Sequence, residues 1–143
     1  MKKVIILFVI TLSLVSCSNN ESTSNSNLEL THQNLAGVWY FKEYIMADGS
    51  IDTYENYCST LRSYVEFFSN GSLNKREYGP NCDYTGFPNN HCYIESETNH
   101  MWAEGDEIPD GIVVKFTADE LHIKYEIFLA PGTETRTLVL SRE

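Results

Sequence analysis

No stretch of this sequence stays apolar long enough to cross a membrane as a helix, which takes about 20 residues. The longest apolar run, residues 4–15, holds twelve and is broken by Thr11 and Ser13. Basic residues are scarce, 10 Lys and Arg against 20 Asp and Glu. Nucleic-acid binding needs clustered Lys and Arg to displace counterions from phosphates, so no nucleic-acid partner is expected. There is no C-x-x-C, no H-x-x-x-H, no nucleophile elbow and no phosphate-cradling glycine loop, which removes the usual sequence routes to a zinc site, an activated nucleophile or a nucleotide pocket. His32, His91, His100 and His122 lie in separate segments. A zinc set drawn from Cys82, His91, Cys92 and His100 loses to disulfide chemistry in an oxidising compartment. Paired acids, Asp119 with Glu120 and the group Glu104, Asp106 and Glu107, read as coats on turns rather than as a hydrolytic carboxylate pair. The expectation is therefore a protein that is not an enzyme, with no catalytic residues, no cofactor and no metal.

What is present begins with an address. Lys2 and Lys3, the apolar run and small Ser16 have the three-part layout of a secretory signal. Leu14-Val15-Ser16-Cys17 resembles the bacterial lipobox, in which cleavage leaves the cysteine first and acyl chains are carried on its sulfur and amine. The resemblance implies a signal peptide over residues 1–16 and lipidation of Cys17. Several acyl chains hold a protein where a single one gives marginal binding. Residues 17–31 then read as a polar tether, because residues 18–27 contain nothing apolar to seed a core. In such lipoproteins an Asp after the cysteine favours the inner membrane; here that residue is Ser18, so the resemblance implies the outer membrane, on either its periplasmic or its surface face. Loss of residues 1–16 removes Lys2 and Lys3 and moves the formal charge from −10 to −12. That acidity suits a basic protein partner, and equally a surface kept soluble outside the cell.

The remaining chain, residues 32–143, is one domain's worth of strands and turns. "LHIKYEIFL" (121–129) sets Leu121, Ile123, Tyr125, Ile127 and Leu129 on one face and His122, Lys124 and Glu126 on the other, with Phe128 the apolar outlier; this is the period-2 pattern of a half-buried strand. "IVVKF" (112–116) before it and "TETRTLVLS" (133–141) after it read as consecutive antiparallel partners. "RSYVEFF" (62–68) meets "SLNKREY" (72–78) across Asn70-Gly71, a strong hairpin signal. "VWYFKEYIM" (38–46) and "CYIESETNHMW" (92–102) read as two further strands, each ending at a turn. About seven or eight short antiparallel strands favour an all-β up-and-down barrel or a strongly curled sheet. A helical turn is expected only over residues 31–36, with Thr31 as N-cap.

Three cysteines remain beyond Cys17. A turn centred on residue 70 sets Cys58 opposite Cys82, so a disulfide between them would staple the open end of that hairpin. That pair is favoured over Cys82 with Cys92, which would staple the Pro- and Asn-rich loop over residues 79–91 instead.

"NLAGVWYF" (34–41), with Gly37-Val38-Trp39 as its G-x-W, resembles the start of lipocalin-like domains, where a helical turn leads into the first strand. The layout as a whole is similar to small lipocalin-like bacterial lipoproteins: lipobox, tether, G-x-W, Asp48-Gly49 turn, Cys58, Asn70-Gly71 hairpin, Cys82, Trp102 and a final Leu138-Val139-Leu140. The resemblance implies a calycin-type barrel over residues 32–143 and binding of a small apolar ligand in its interior. There is no convincing T-D-Y signature, and only Arg136 or Arg142 is placed to supply the arginine that packs over the first-strand Trp in larger lipocalins. Trp39, Phe41, Phe67, Ile123, Tyr125 and Ile127 are the expected ligand-binding residues, with Ile45 also inside. Tyr40, Tyr44, Tyr54, Tyr57 and Tyr64 suit a binding surface for a protein.

Overall fold

The computed structural model describes residues 27–86, 89–105 and 107–143. The expected signal segment, Cys17 and most of the tether lie outside them. One helical turn, α1 (His32–Leu35), precedes ten strands: β1 (Gly37–Met46), β2 (Ile51–Thr53), β3 (Tyr64–Phe67), β4 (Ser72–Tyr78), β5 (Tyr84–Thr85), β6 (Asn90–Glu95), β7 (His100–Ala103), β8 (Gly111–Phe116), β9 (Glu120–Leu129) and β10 (Gly132–Ser141). The sheet runs β10-β9-β8-β7-β6-β4-β3-β1, and β1 pairs back onto β10 to close an eight-stranded antiparallel barrel. β2 and β5 lie outside the ring, as extra partners of β1 and β4. Closure leaves the ring without edge strands.

Local chemistry explains most boundaries. Thr31 caps α1, its hydroxyl accepting from the Asn34 amide at 3.2 Å. The β3–β4 hairpin turns where Gly71 adopts φ +87° and the Asn70 side chain accepts from both the amide and the hydroxyl of Ser72. Residues 92–102, expected as one strand, are instead two: β6 and β7 are separated by a turn that ends at Asn99 in the left-handed region, φ +54°. Glu95, Ser96, Glu97 and Thr98 offer no apolar face to hold a continuous strand. Cys58 and Cys82 form the disulfide; Cys92 is a buried free thiol whose pKa burial pushes up to about 12.

Packing divides the barrel into a filled half and an open half. Leu35, Trp39, Val65, Phe67, Leu73, Met101, Leu121, Ile123 and Leu140 fill the end nearest α1, as side chains do in a barrel of eight strands. The packed domain also begins before residue 32: Leu30 is 3% exposed within this core, and the Leu28 amide donates to the Phe116 carbonyl. Residues 28–30 therefore run against the closed end of the barrel.

A bulge decides which side chains look inward. The β1–β10 register shifts between Phe41 and Glu43, and one extra residue reverses the in-out alternation. Trp39 and Phe41 point in, and past the bulge Tyr44 packs against the core. Ile45, expected inside, lines a shallow outer groove with Lys124 and Thr137.

On the outer wall Glu120 draws three strands together, accepting from Lys115 Nζ at 2.5 Å and Lys42 Nζ at 2.8 Å, with His122 Nε2 at 3.3 Å. These donors, Lys115 first, hold its carboxyl down at about 2 against an ordinary 4.5. A depressed carboxylate stabilises the fold above its unfolded pKa and loses that contribution as pH falls toward the folded value. The cluster's contribution should therefore be intact above about 4.5 and disappear towards pH 2. Glu120→Gln should flatten that part of a pH–stability profile and cost about 1 kcal/mol at neutral pH, the exposure of the lysines limiting the effect. An unchanged acid limb in the variant would assign acid sensitivity to other groups.

Candidate functional site

The open half of the barrel holds a cavity of about 560 Å³, within the range of small-molecule sites. Its walls come from five strands and one loop, with Trp102 and Ala103 contributed by β7. Phe41 and Tyr44 enter from β1, Lys75 and Glu77 from β4, Tyr125 and Ile127 from β9 and Leu138 from β10. The β4–β6 and β7–β8 ladders are short, each with two register pairs. The β7–β8 connection completes the lining with Gly105, Glu107, Ile108, Pro109 and Asp110.

Aromatic rings and paired charges alternate around this mouth. Phe41 stacks on Tyr54, centroids 5.0 Å apart, and Tyr44 leans on the same ring at 6.3 Å. Burial pushes the Tyr44 phenol up to about 12 and raises those of Tyr54 and Tyr125 as well. All three stay neutral at physiological pH. Lys75 Nζ lies 3.1 Å from Glu77 Oε1 and 5.5 Å from the Phe41 ring centre. Tyr54 Oη reaches the same Glu77 oxygen at 3.5 Å, and Asp110 is paired with His100 at 2.5 Å.

Glu107 departs from the turn-coating role its sequence neighbourhood suggests. It is 1% exposed, and its Oε1 accepts a short hydrogen bond from Asn90 Nδ2. Asn90 Nδ2 also reaches the Glu104 carbonyl at 3.2 Å, which ties the β7–β8 connection to β6. Gly105 makes room: at φ +77°, a Cβ there would lie 2.9 Å from both carboxylate oxygens of Glu107. Glu104, in contrast, is exposed and accepts from Tyr93 Oη at 2.7 Å. Asp106 lies outside the described residues.

No protein-family model matches the chain, and no curated protein matches it. The site therefore has to be read from its own geometry.

Of the six expected ligand-binding residues, the structure gathers Phe41, Tyr125 and Ile127 at the cavity. Trp39, Phe67 and Ile123 sit in the filled half, sealed from it by their own packing. Trp39 donates from Nε1 to the Leu35 carbonyl at 2.7 Å, and the Arg142 guanidinium covers its ring at 4.4 Å. Sequence reasoning set none of Tyr44, Lys75, Glu77 and Glu107 at a ligand site: it gave Tyr44 to a protein-binding surface and Glu107 to a turn, and did not name the other two. Two of these carried a signal: Lys75 and Glu77 alternate with Leu73 along β4, so a buried Leu73 turns both inward. Glu107 carried none, because the turn that buries it has no periodicity.

Proposed function

We propose that this protein is a membrane-anchored lipoprotein whose lipocalin-like barrel binds a small, largely apolar ligand without catalysing its conversion. The carrying observation is the cavity of about 560 Å³ lined by Phe41, Tyr44, Ile108, Tyr125 and Ile127. Arg142 over Trp39 adds support for the lipocalin-like reading, since that is the arginine the resemblance calls for. Binding is testable with the neutral apolar probe N-phenyl-1-naphthylamine. Ile127→Trp, which adds bulk at the cavity wall, should weaken its binding at least about tenfold while leaving thermal unfolding close to native. Native affinity in that variant would reject the cavity as the binding site. Mass spectrometry of the protein isolated intact from its host should find a retained small molecule.

The anchor rests on Lys2, Lys3, the apolar run and Leu14-Val15-Ser16-Cys17. Cys17→Ala should abolish partitioning into a detergent phase, and a variant that still partitions with its signal intact would refute lipidation at this site. The resemblance favours the outer membrane for the anchored protein.

A basic protein partner draws less support. Of the early tyrosines that would anchor it, Tyr44 and Tyr54 turn toward the barrel mouth. Tyr40 and Tyr64 already carry the chain's own guanidinium groups, Arg62 at 4.3 Å and Arg76 at 6.0 Å.

A further inference from the structure

Two buried side-chain polar atoms among the described residues lack a hydrogen-bond partner: Arg142 Nε, whose guanidinium is stacked on Trp39, and Glu107 Oε2. Glu107 is one of the residues that line the cavity. A buried acceptor is normally satisfied, and leaving a carboxylate oxygen bare costs more than leaving a neutral one. The other charged groups that line the cavity from β4 and from the β7–β8 connection already have partners, Lys75 with Glu77 and Asp110 with His100. Glu107 is held from one side only, by Asn90 on Oε1, and its carboxylate occupies the space that a side chain at position 105 would fill.

We propose that the cavity binds an organic cation, an ammonium group carried on an apolar body, whose N–H donates to Glu107 Oε2. This rests on the reading of the cavity as a ligand site and names the chemistry of what enters it. A neutral donor would satisfy the oxygen, but a cation also offsets the charge that burial has stripped of water. The surroundings suit such a group. Phe41, Tyr44 and Tyr125 offer ring faces of the kind that attract ammonium ions. Ile108, Ile127 and Leu138 accept the apolar body. The formal charge of −10 draws cations towards the molecule as a whole.

Isothermal titration of the intact protein with n-octylammonium chloride, 1-octanol and sodium octanoate, at one ionic strength, separates the contributions, because the three probes share a chain and differ in the head. Octylammonium should bind at least about tenfold tighter than octanol, and octanoate more weakly than either. In Glu107→Gln, which keeps an acceptor for Asn90, octylammonium should fall to the affinity of octanol while octanol itself is unchanged. Equal binding of octylammonium and octanol by the native protein would overturn the cation proposal and leave the apolar-ligand reading standing. So would a preference for octylammonium that survives in Glu107→Gln, since it would place the cation on the acidic surface. If none of the three binds, the ligand reading falls and the cation proposal with it. Should the variant not fold, titration of the native protein at high ionic strength decides: a preference for octylammonium that persists belongs to the buried carboxylate, and one that vanishes belongs to the screened acidic surface.

Discussion

Trp39→Ala should lower the free energy of unfolding by about 4 kcal/mol, the largest effect expected of any single side chain here. Trp39 is fully buried and belongs to the core cluster that fills the closed end of the barrel. Its ring meets Phe116 at 6.0 Å, its Nε1 donates to the carbonyl of Leu35, and the Arg142 guanidinium lies across its face. Truncation opens a cavity too enclosed to collapse and leaves the Leu35 carbonyl without its donor. Arg142 loses the ring that places it, although it also donates to the Asn34 and Ala36 carbonyls at 3.0 and 3.1 Å. Domains of this size are stable by only about 5–15 kcal/mol, so the variant should lose a large share of the total. Urea unfolding followed by circular dichroism measures it. A loss under about 2 kcal/mol would show that the closed end does not depend on this side chain. Ile127→Ala, half-buried in the open half, should cost about 1 kcal/mol or less, because its site is already partly solvated.

Removing the Cys58–Cys82 bond, by reduction or by Cys58→Ser with Cys82→Ser, should cost about 3 kcal/mol. The two cysteines are 24 residues apart in sequence, and the bond ties the segment between β2 and β3 to the one between β4 and β5. Few backbone ladders hold the first of these segments. It is fixed by side chains: Asn56 Oδ1 accepts from the Ser63 amide at 2.9 Å, and the Ser63 hydroxyl accepts from the Tyr78 amide at 3.2 Å. Freeing the crosslink restores conformational entropy mainly to the unfolded chain, so the native barrel should keep its circular dichroism spectrum while its unfolding midpoint drops. Cys92 provides an internal control. Fully buried, with its thiol held protonated by that burial, it should resist iodoacetamide until the barrel unfolds, whereas reduced Cys82, which is partly exposed, should react with the native fold. Alkylation of Cys92 at the same rate as Cys82 would mean that β6 opens without global unfolding.

Strand existence and pairing were legible wherever one face of a strand is apolar and the turn beside it has a chemical signature. The β3–β4, β8–β9 and β9–β10 hairpins are of this kind, and the choice of Cys58 with Cys82 followed from the first of them. The single break between β6 and β7 was not legible, because a polar turn inside an otherwise strand-like run leaves no glycine or proline to mark it. Inward and outward facing could be read up to the β1 bulge and not beyond. A bulge is a response of the backbone to barrel curvature; nothing in "YFKEYI" records it.

The amino-acid sequence alone determined the strand-rich fold class and favoured the Cys58–Cys82 pairing, because local periodicity and turn chemistry act over a few neighbouring positions. Only the tertiary structure decided that Trp39, Phe67 and Ile123 seal one end while Phe41, Tyr125 and Ile127 face a cavity at the other. It alone moved Ile45 outside, brought Lys75 and Glu77 inside and buried Glu107 with one oxygen unpaired. Those outcomes depend on closing β1 onto β10, residues about a hundred positions apart. Which groups that closure strips of water is a property of the ring as a whole, and no window of sequence contains it.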